Sequence, residues 1–600
     1  MPRKELKELT KKIQERSKKT RQSYLERLEK NTTKISRSKL GCANLAHSYA
    51  TMPDHIKDRI KQNEGLNYAI ISAYNDLLSA HQPFKNYPDL IKEELQKHKA
   101  FAQFAAGVPA MCDGITQGYE GMELSLFSRD VIALSTAIGL CHQIFDGAFY
   151  LGVCDKIVPG LLMGALSFGH LPSIFVPSGP MTSGISNYEK AKARELFTEG
   201  KISRSALLDS EMKSYHSPGT CTFYGTANSN QMMMEFMGLH LPNSAFINPH
   251  TPLRVALIKE AARHMATQKI MPLGKLLSEK NIINAMIGLM ATGGSTNHTI
   301  HLVAIAKCAG IIIDWDDFNC VSELIPLLAR VYPNGKADVN AFSACGGLAF
   351  IFKELLKEGL MHEDAQSIMG EGMSFYTKEP FLIDGKLCYK EGLSESKNED
   401  ILRGVKNAFS KDGGLKILKG NIGRAVIKSS AIDEKHHIIK APARVFYSQS
   451  EFLQAFENKE LEQDFIAVLL FQGPRANGMP ELHKLSSPLG VLQDKGFKVG
   501  LVTDGRMSGA SGKIPAAIHT SPEALLDGDL ARIEDGDMIL LDIKDGKLQA
   551  LVDEKIWQKR RRKKPKQKEV FGAGRELFAS FRANSSSAET GAMSFGGIFS

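Results

Sequence analysis

The chain changes texture near residue 395, and this change constrains the fold more than any other feature of its 600 residues. From Leu66 to about Gly392, apolar runs such as Tyr68-Ala69-Ile70-Ile71-Ser72 and Ser173-Ile174-Phe175-Val176 alternate with longer helical patterns, among them Asp130 to Cys141 and Thr299 to Cys308. Alternation of that kind predicts an α/β layer on a mostly parallel sheet. The polar stretch Ser394-Glu395-Ser396-Lys397-Asn398-Glu399-Asp400 then reads as a linker. Beyond it, Phe465 to Phe471, Val499 to Thr503, Met538 to Ile543 and Leu548 to Val552 are short apolar segments divided by Gly and Asp turns, with Lys544-Asp545-Gly546-Lys547 as a tight hairpin connection. The prediction is an N-terminal parallel-sheet α/β domain over 1–395, then a smaller β-barrel-like C-terminal domain over 396–600. A chain this long also exceeds what one hydrophobic core holds.

The net charge of +9 is concentrated at two places. Residues 559–568 carry eight positive charges, and residues 1–30 carry eleven basic and five acidic side chains. About −5 is left for the remainder, so the fold itself is mildly acidic. A basic run is ordinarily a solvated surface, with nucleic-acid contact the minority reading. The helical spacing up to Glu64 predicts a charged segment wrapped round the outside. Met1-Pro2-Arg3-Lys4-Glu5 opens without the apolar core of a signal peptide, and the apolar stretch Ile157 to Pro177 is broken by Pro159, Gly160, Gly164, Gly169, His170 and Pro172. A cytoplasmic location with no membrane partner is expected. Nine irregularly spaced cysteines do not form a disulfide framework; most are expected in the core, a minority as ligands.

Cys154-Asp155-Lys156 sets a soft thiolate, a hard carboxylate and an amine side by side. Sulfur suits iron–sulfur clusters or zinc and carboxylate suits magnesium or manganese, so the triplet points to two adjacent metal centres. Gly500-Leu501-Val502-Thr503-Asp504-Gly505-Arg506-Met507-Ser508-Gly509-Ala510-Ser511 starts as a strand and breaks into a Gly-rich turn that presents Ser508. Asp113 to Glu123 carries acids between glycines. Parallel sheets place ligands at the carboxyl ends of strands, where Asn75-Asp76 and Pro177 to Pro180 fall. The three segments together resemble the dihydroxy-acid dehydratase/6-phosphogluconate dehydratase family, iron–sulfur lyases that remove water from sugar acids and branched hydroxy acids.

The resemblance covers about Arg16 to Ala588. It implies the same two-domain plan, hydro-lyase activity and a homodimer. It also implies an iron–sulfur cluster, 4Fe-4S before 2Fe-2S, on Cys154 and Cys221, and Mg2+ or Mn2+ on Asp113, Asp155 and Glu481. Lys156, whose counterpart in relatives is carbamylated into a further oxygen ligand, joins the metal set and the catalytic one. Ser508 is implied as the base, acting as an alkoxide, which requires nearby cationic charge to lower its pKa. Dihydroxy-acid dehydratases take a third cysteine from a segment resembling Tyr74 to Gln82. This chain has Ala80 and His81 there, leaving Cys42, Cys112 and His81 open as the remaining ligand. That departure, with Gly41 to His47, Gly225 to Gln231 and Asn477 to Lys484, points to the phosphogluconate branch. Its reaction converts 6-phospho-D-gluconate to 2-dehydro-3-deoxy-6-phosphogluconate in the Entner–Doudoroff pathway. The expected partner is thus a small phosphorylated sugar acid, with Arg475, His483, Lys484 and Arg506 as candidate substrate-binding residues. The backbone amides of Gly293 to Asn297, ahead of an apolar helix, form a candidate anion site. The alternatives are a dehydratase of a nonphosphorylated aldonic acid or of 2,3-dihydroxy acids and, from another class, a nucleic-acid-binding protein using 559–568.

Overall fold

The computed structural model describes residues 2–34, 37–62, 64–509, 511–566 and 571–595. Helix α1 (Lys4–Lys34) buries Leu6, Leu9, Ile13, Tyr24 and Leu28 and turns its charges outward, which is how so basic a segment folds. Arg16 pairs with Asp314 and Asp317, and Arg21 donates to the carbonyls of Gly274 and Leu277, so the helix is tied down at its middle.

Strands β1 (Asn67–Ser72) and β2 (Phe101–Gly107) are followed by helix α2 (Ser125–Leu140), strand β3 (Gly147–Leu151), helix α3 (Ile157–Ser167) and strand β4 (Ser173–Val176). The four strands form one parallel sheet in the order β2-β1-β3-β4. β1, β3 and β4 are buried throughout, as in a sheet covered on both faces. The alternation predicted as far as Gly392 ends at Val176. From there to Lys357 the named elements are helices, among them α4 (Thr226–Phe236), α5 (Glu279–Thr292) and α6 (His298–Cys308), each buried on nearly every side. Periodicity does not separate a buried strand from a stretch of buried helix, so those apolar runs mislead when read along the chain.

The C-terminal half closes into an eight-stranded barrel. Its strands are β5 (Leu415–Gly420), β6 (Gly423–Lys428), β7 (Ile438–Phe446), β8 (Phe465–Leu469), β9 (Val499–Thr503), β10 (Ala516–Ser521), β11 (Met538–Asp542) and β12 (Lys547–Ala550), in the order β6-β10-β9-β8-β7-β11-β12-β5. β7 to β10 run as parallel neighbours, while β5–β6 and β11–β12 are hairpins, the second turning at the predicted Lys544 to Lys547 connection. The basic run lies along the barrel: Arg560 binds Asp537, Arg562 binds Asp529 at 2.8 Å and Lys566 binds Glu451 at 2.5 Å. Its last two residues, Gln567 and Lys568, lie outside the described residues. The chain then returns to the α/β half, where Phe578 stacks on Phe127, Arg575 pairs with Glu123, and the Ala592 carbonyl accepts from Arg129 at 2.7 Å. Among the described residues no helix is long and apolar enough to cross a membrane.

Helix α3 starts immediately after Lys156, so its seat decides where that residue sits. It crosses α2 at Gly160 and Gly164, where an added Cβ would lie 2.6 Å from the Arg129 carbonyl oxygen and 2.6 Å from Thr136 Cβ. Neither position has room for a side chain. Gly164→Val should destabilise the fold by about 1–3 kcal/mol, the range for overpacking a filled core. A urea midpoint equal to that of wild type would show that the α2–α3 contact can relax.

Candidate active site

The chemistry-bearing residues of the α/β half come from loops at the carboxyl edge of the sheet. Cys112-Asp113 follow β2, and Cys154-Asp155-Lys156 follow β3. After β4, Pro180 bridges Thr220, the neighbour of Cys221. Cys154 holds a left-handed φ of 73°, and Asn230 clamps this turn by donating to the carbonyls of Cys154 and Asp155 at 2.9 and 3.0 Å. The barrel brings Glu481 and Arg506, whose backbones pair as an isolated bridge.

Asp113, Asp155 and Glu481 each place a carboxylate oxygen within 4.8 Å of the other two. One hard divalent cation with bonds of about 2.1 Å spans such a group. Two buried cations also contact these acids. Lys156 Nζ pairs with Asp113, and with Asp155 at 2.8 Å. Arg506 reaches all three, at 3.1 Å to Asp113, 3.0 Å to Asp155 and 2.8 Å to Glu481. Burial pushes the Asp155 carboxyl up, but Lys156, Arg506 and His301 outweigh it and hold the group well below the usual carboxylate range. Glu481 behaves oppositely: burial carries it up to about 7 despite Arg506, helped by its acidic neighbours. Burial pulls Lys156 down, yet Asp113 and Asp155 leave it raised, a charged ammonium in this state.

His301, which the sequence reading missed, orients Asp155. Arg129 Nη1 donates to its Nδ1 at 3.4 Å, so Nε2 carries the proton and donates to Asp155 Oδ1 at 3.1 Å. Burial pushes this imidazole down to about 4, which keeps it neutral. A signal was present: His298 and His301 stand three residues apart on one helix, on one face.

Two thiols adjoin the acids along the chain, Cys112 before Asp113 and Cys154 before Asp155. Burial pushes Cys154 well above the usual thiol range, with negative charge at Cys112 and Cys221 adding to it. Cys221 is pushed up to about 12 by burial, again with Cys112 contributing. Of the other candidate ligands, Cys42 is exposed on the helix Cys42–Tyr49, and His81 is buried with Nε2 3.1 Å from the Val153 carbonyl.

A cavity of about 510 Å³ opens between the halves, lined by Thr296, Lys428, His483, Ser508 and Ser511, with Lys192, Lys336 and Lys513 also on its wall. Ser508 therefore faces a space large enough for a sugar acid. Lys428, also missed from sequence, is buried in the wall with no hydrogen-bond partner on Nζ, and burial pushes its ammonium down to about 7. His483 shares a hydrogen bond of 3.1 Å with Ser511 and faces the cavity. The other candidate substrate residues lie elsewhere. Arg506 is committed to the acids; Arg475 donates to the Ser585 carbonyl at 2.7 Å and sits in a short helix whose amide is capped by Glu523; Lys484 lies over the Tyr119 ring. Of the candidate anion site, Thr296 lines the cavity, while the Asn297 backbone amide donates to Ser295 Oγ at 3.2 Å and its side-chain Nδ2 donates to Glu481 at 3.3 Å.

Two family models match this chain: residues 67–376 match one described as "Dihydroxy-acid/6-phosphogluconate dehydratase N-terminal", and residues 400–592 match its C-terminal counterpart. A protein named phosphogluconate dehydratase in Helicobacter pylori strain J99 is 64% identical, covering 99% of this chain and 100% of its own. The Escherichia coli K12 protein of the same name is 53% identical over 97% of this chain and 98% of its own. A dihydroxy-acid dehydratase of Caldanaerobacter subterraneus is 34% identical over 79% of this chain and 86% of its own.

Arg506 neutralises three acids at once, so Arg506→Met should leave uncompensated buried charge at a cost of about 3–5 kcal/mol. A divalent cation should then stabilise the variant more than it stabilises wild type. Thermal melts with EDTA and with Mg2+ test this. An equal Mg2+ response in the two proteins would remove the acid group from the metal assignment.

Proposed function

Because the chain belongs to the dihydroxy-acid/6-phosphogluconate dehydratase family, we propose that it removes water from 6-phospho-D-gluconate to give 2-dehydro-3-deoxy-6-phospho-D-gluconate, a step of the Entner–Doudoroff pathway. The supporting observation is the cavity that carries Ser508 and an unpartnered Lys428, whose wall residues Thr296 and Ser508 stand one and two residues from Asn297 and Arg506, both bound to Glu481 of the carboxylate group, in a chain so close to the phosphogluconate dehydratases. The residues fit two centres: hard oxygen donors at Asp113, Asp155 and Glu481 for Mg2+ or Mn2+, and sulfur donors at Cys154 and Cys221 for an iron–sulfur cluster. When bound at these residues, the centres would supply Lewis acidity toward the C2 proton and the C3 hydroxyl.

The protein's own groups do the remainder. Ser508 accepts the C2 proton, which requires its oxygen to tolerate negative charge. The loop that carries it is pressed onto the N-terminus of α4: a Cβ on Gly509 would lie 2.6 Å from the Thr226 nitrogen and 2.9 Å from Gly225 Cα. The positive end of that helix and the Lys428 ammonium on the same cavity wall both favour an oxyanion. Lys156 holds Asp113 and Asp155 together, and His301 fixes Asp155 in its rotamer. On the wall Lys192 and Lys513 are paired with Glu195 and Asp494, and Lys428, with no partner on Nζ, is the cation that suits an anionic substrate.

Two measurements test the reading. A 6-phosphate adds about two negative charges, and groups arranged for it reject an analogue that lacks it, so kcat/KM for 6-phosphogluconate should exceed that for gluconate and for 2,3-dihydroxyisovalerate by orders of magnitude. Equal or better turnover of either competitor moves the chain to another branch of the family. Ser508→Ala should lower kcat about a thousandfold, within the range for losing a general base, and abolish exchange of the C2 hydrogen with deuterated solvent. Exchange at the wild-type rate would place the base elsewhere.

A further inference from the structure

Two Cys-Asp pairs stand in this chain, Cys112-Asp113 and Cys154-Asp155. The first leaves β2 and the second leaves β3, the strands on either side of β1. Lys156 and Arg506 each contact both acids, so the sulfur preceding each acid is carried to the same end of the sheet. Cys221 enters from the β4 side, its carbonyl accepting from Asn228 at 2.7 Å. We infer that Cys112 is the third thiolate of the iron–sulfur cluster, completing the set begun by Cys154 and Cys221; the inference rests on the cluster-bearing dehydratase proposed above.

Spacing argues for a cluster here over a single ion. Ligands of one tetrahedral zinc, at about 2.3 Å from the metal, lie within about 4 Å of one another. Among the described residues the acids are the only trio whose ligand atoms lie within 4.8 Å of each other. The three thiols are thus wider apart than one ion allows, while the shared contacts of Asp113 and Asp155 with Lys156 and Arg506 keep Cys112 and Cys154 at one edge of the sheet. The Cys112 side chain lies over its own loop, its Sγ 3.5 Å from where a Cβ on Gly114 would stand, while the Ile115 amide donates to the Cys112 carbonyl at 3.1 Å.

The loop after β1 shows what has moved. Ser79, the neighbour of Ala80, accepts from the Gly219 amide at 2.8 Å, two residues from Cys221. That loop therefore borders the thiol group but offers no sulfur, and Cys112 approaches from the next strand instead. The competitor is His81, whose Nδ1 is buried without a partner. Cys112 as ligand joins the cluster to the divalent centre by single peptide links at two places, 112–113 and 154–155.

The test uses holoenzyme purified without oxygen. Cys112→Ser should lose iron and sulfide about tenfold or more, since even outer-shell changes at metal sites have effects of that size. His81→Gln and Cys42→Ser should keep both, together with the visible absorbance and EPR signal. In wild type, Cys112, Cys154 and Cys221 should resist alkylation and become reactive once iron is chelated, an arm that decides the matter even should Cys112→Ser fail to fold. Alkylation of Cys112 at one rate in both states overturns the assignment. So does a Cys112→Ser protein with unchanged iron, sulfide and EPR, above all if His81→Gln has lost them. Wild type without iron or sulfide would sink the cluster reading itself and this assignment with it.

Discussion

Five charges, four of them buried and Asp113 partly so, hold this site together. Asp113, Asp155 and Glu481 converge from three segments, and the Lys156 and Arg506 ions lie fully buried among them. None of the acids is tenable alone at that depth, because an isolated buried carboxylate takes up a proton before it keeps its charge. Glu481, pushed to about 7, lies nearest that limit. The cluster also joins the two halves of the chain, since Arg506 and Glu481 belong to the barrel and the other three to the sheet edge. Stability and chemistry therefore draw on the same contacts.

Parallel-sheet topology explains why so many of these residues are legible in the amino-acid sequence. A strand that is apolar throughout and leads into Cys-Asp-Lys or Asn-Asp announces both its burial and its ligand-facing end, and β1 and β3 read that way. Short apolar segments between Gly and Asp turns likewise announce the barrel. The stretch from Val176 to Lys357 does not read correctly, since a helix buried on all sides loses the periodicity that marks an amphipathic one. Asp113, Asp155, Glu481, Cys154 and Cys221 are nominated by resemblance, and their placement rests on the fold. Arg475 shows the limit of adjacency in sequence: it lies six residues from Glu481, but its short helix is turned toward Glu523 and Ser585. Lys428 has no sequence signal beyond a lysine closing an apolar strand; only its burial without a partner marks it.

Glycine has a specific task in the Ser508 loop. Gly509 lets that loop contact the first turn of α4, and any larger residue would push Ser508 away from the helix end. The position of Ser508 thus depends on a neighbour with no side chain.

The Ala592 carbonyl receives Arg129, Arg129 fixes the tautomer of His301, and His301 steers Asp155. This relay runs from a late residue of the chain to a loop made far earlier. During synthesis, the sheet and its thiols leave the ribosome well before the barrel exists and before residue 592 is available. A nascent chain stalled between residues 506 and 592 would keep Lys156 and Arg506 on Asp155, but its Arg129 would lack the carbonyl that holds it beside His301.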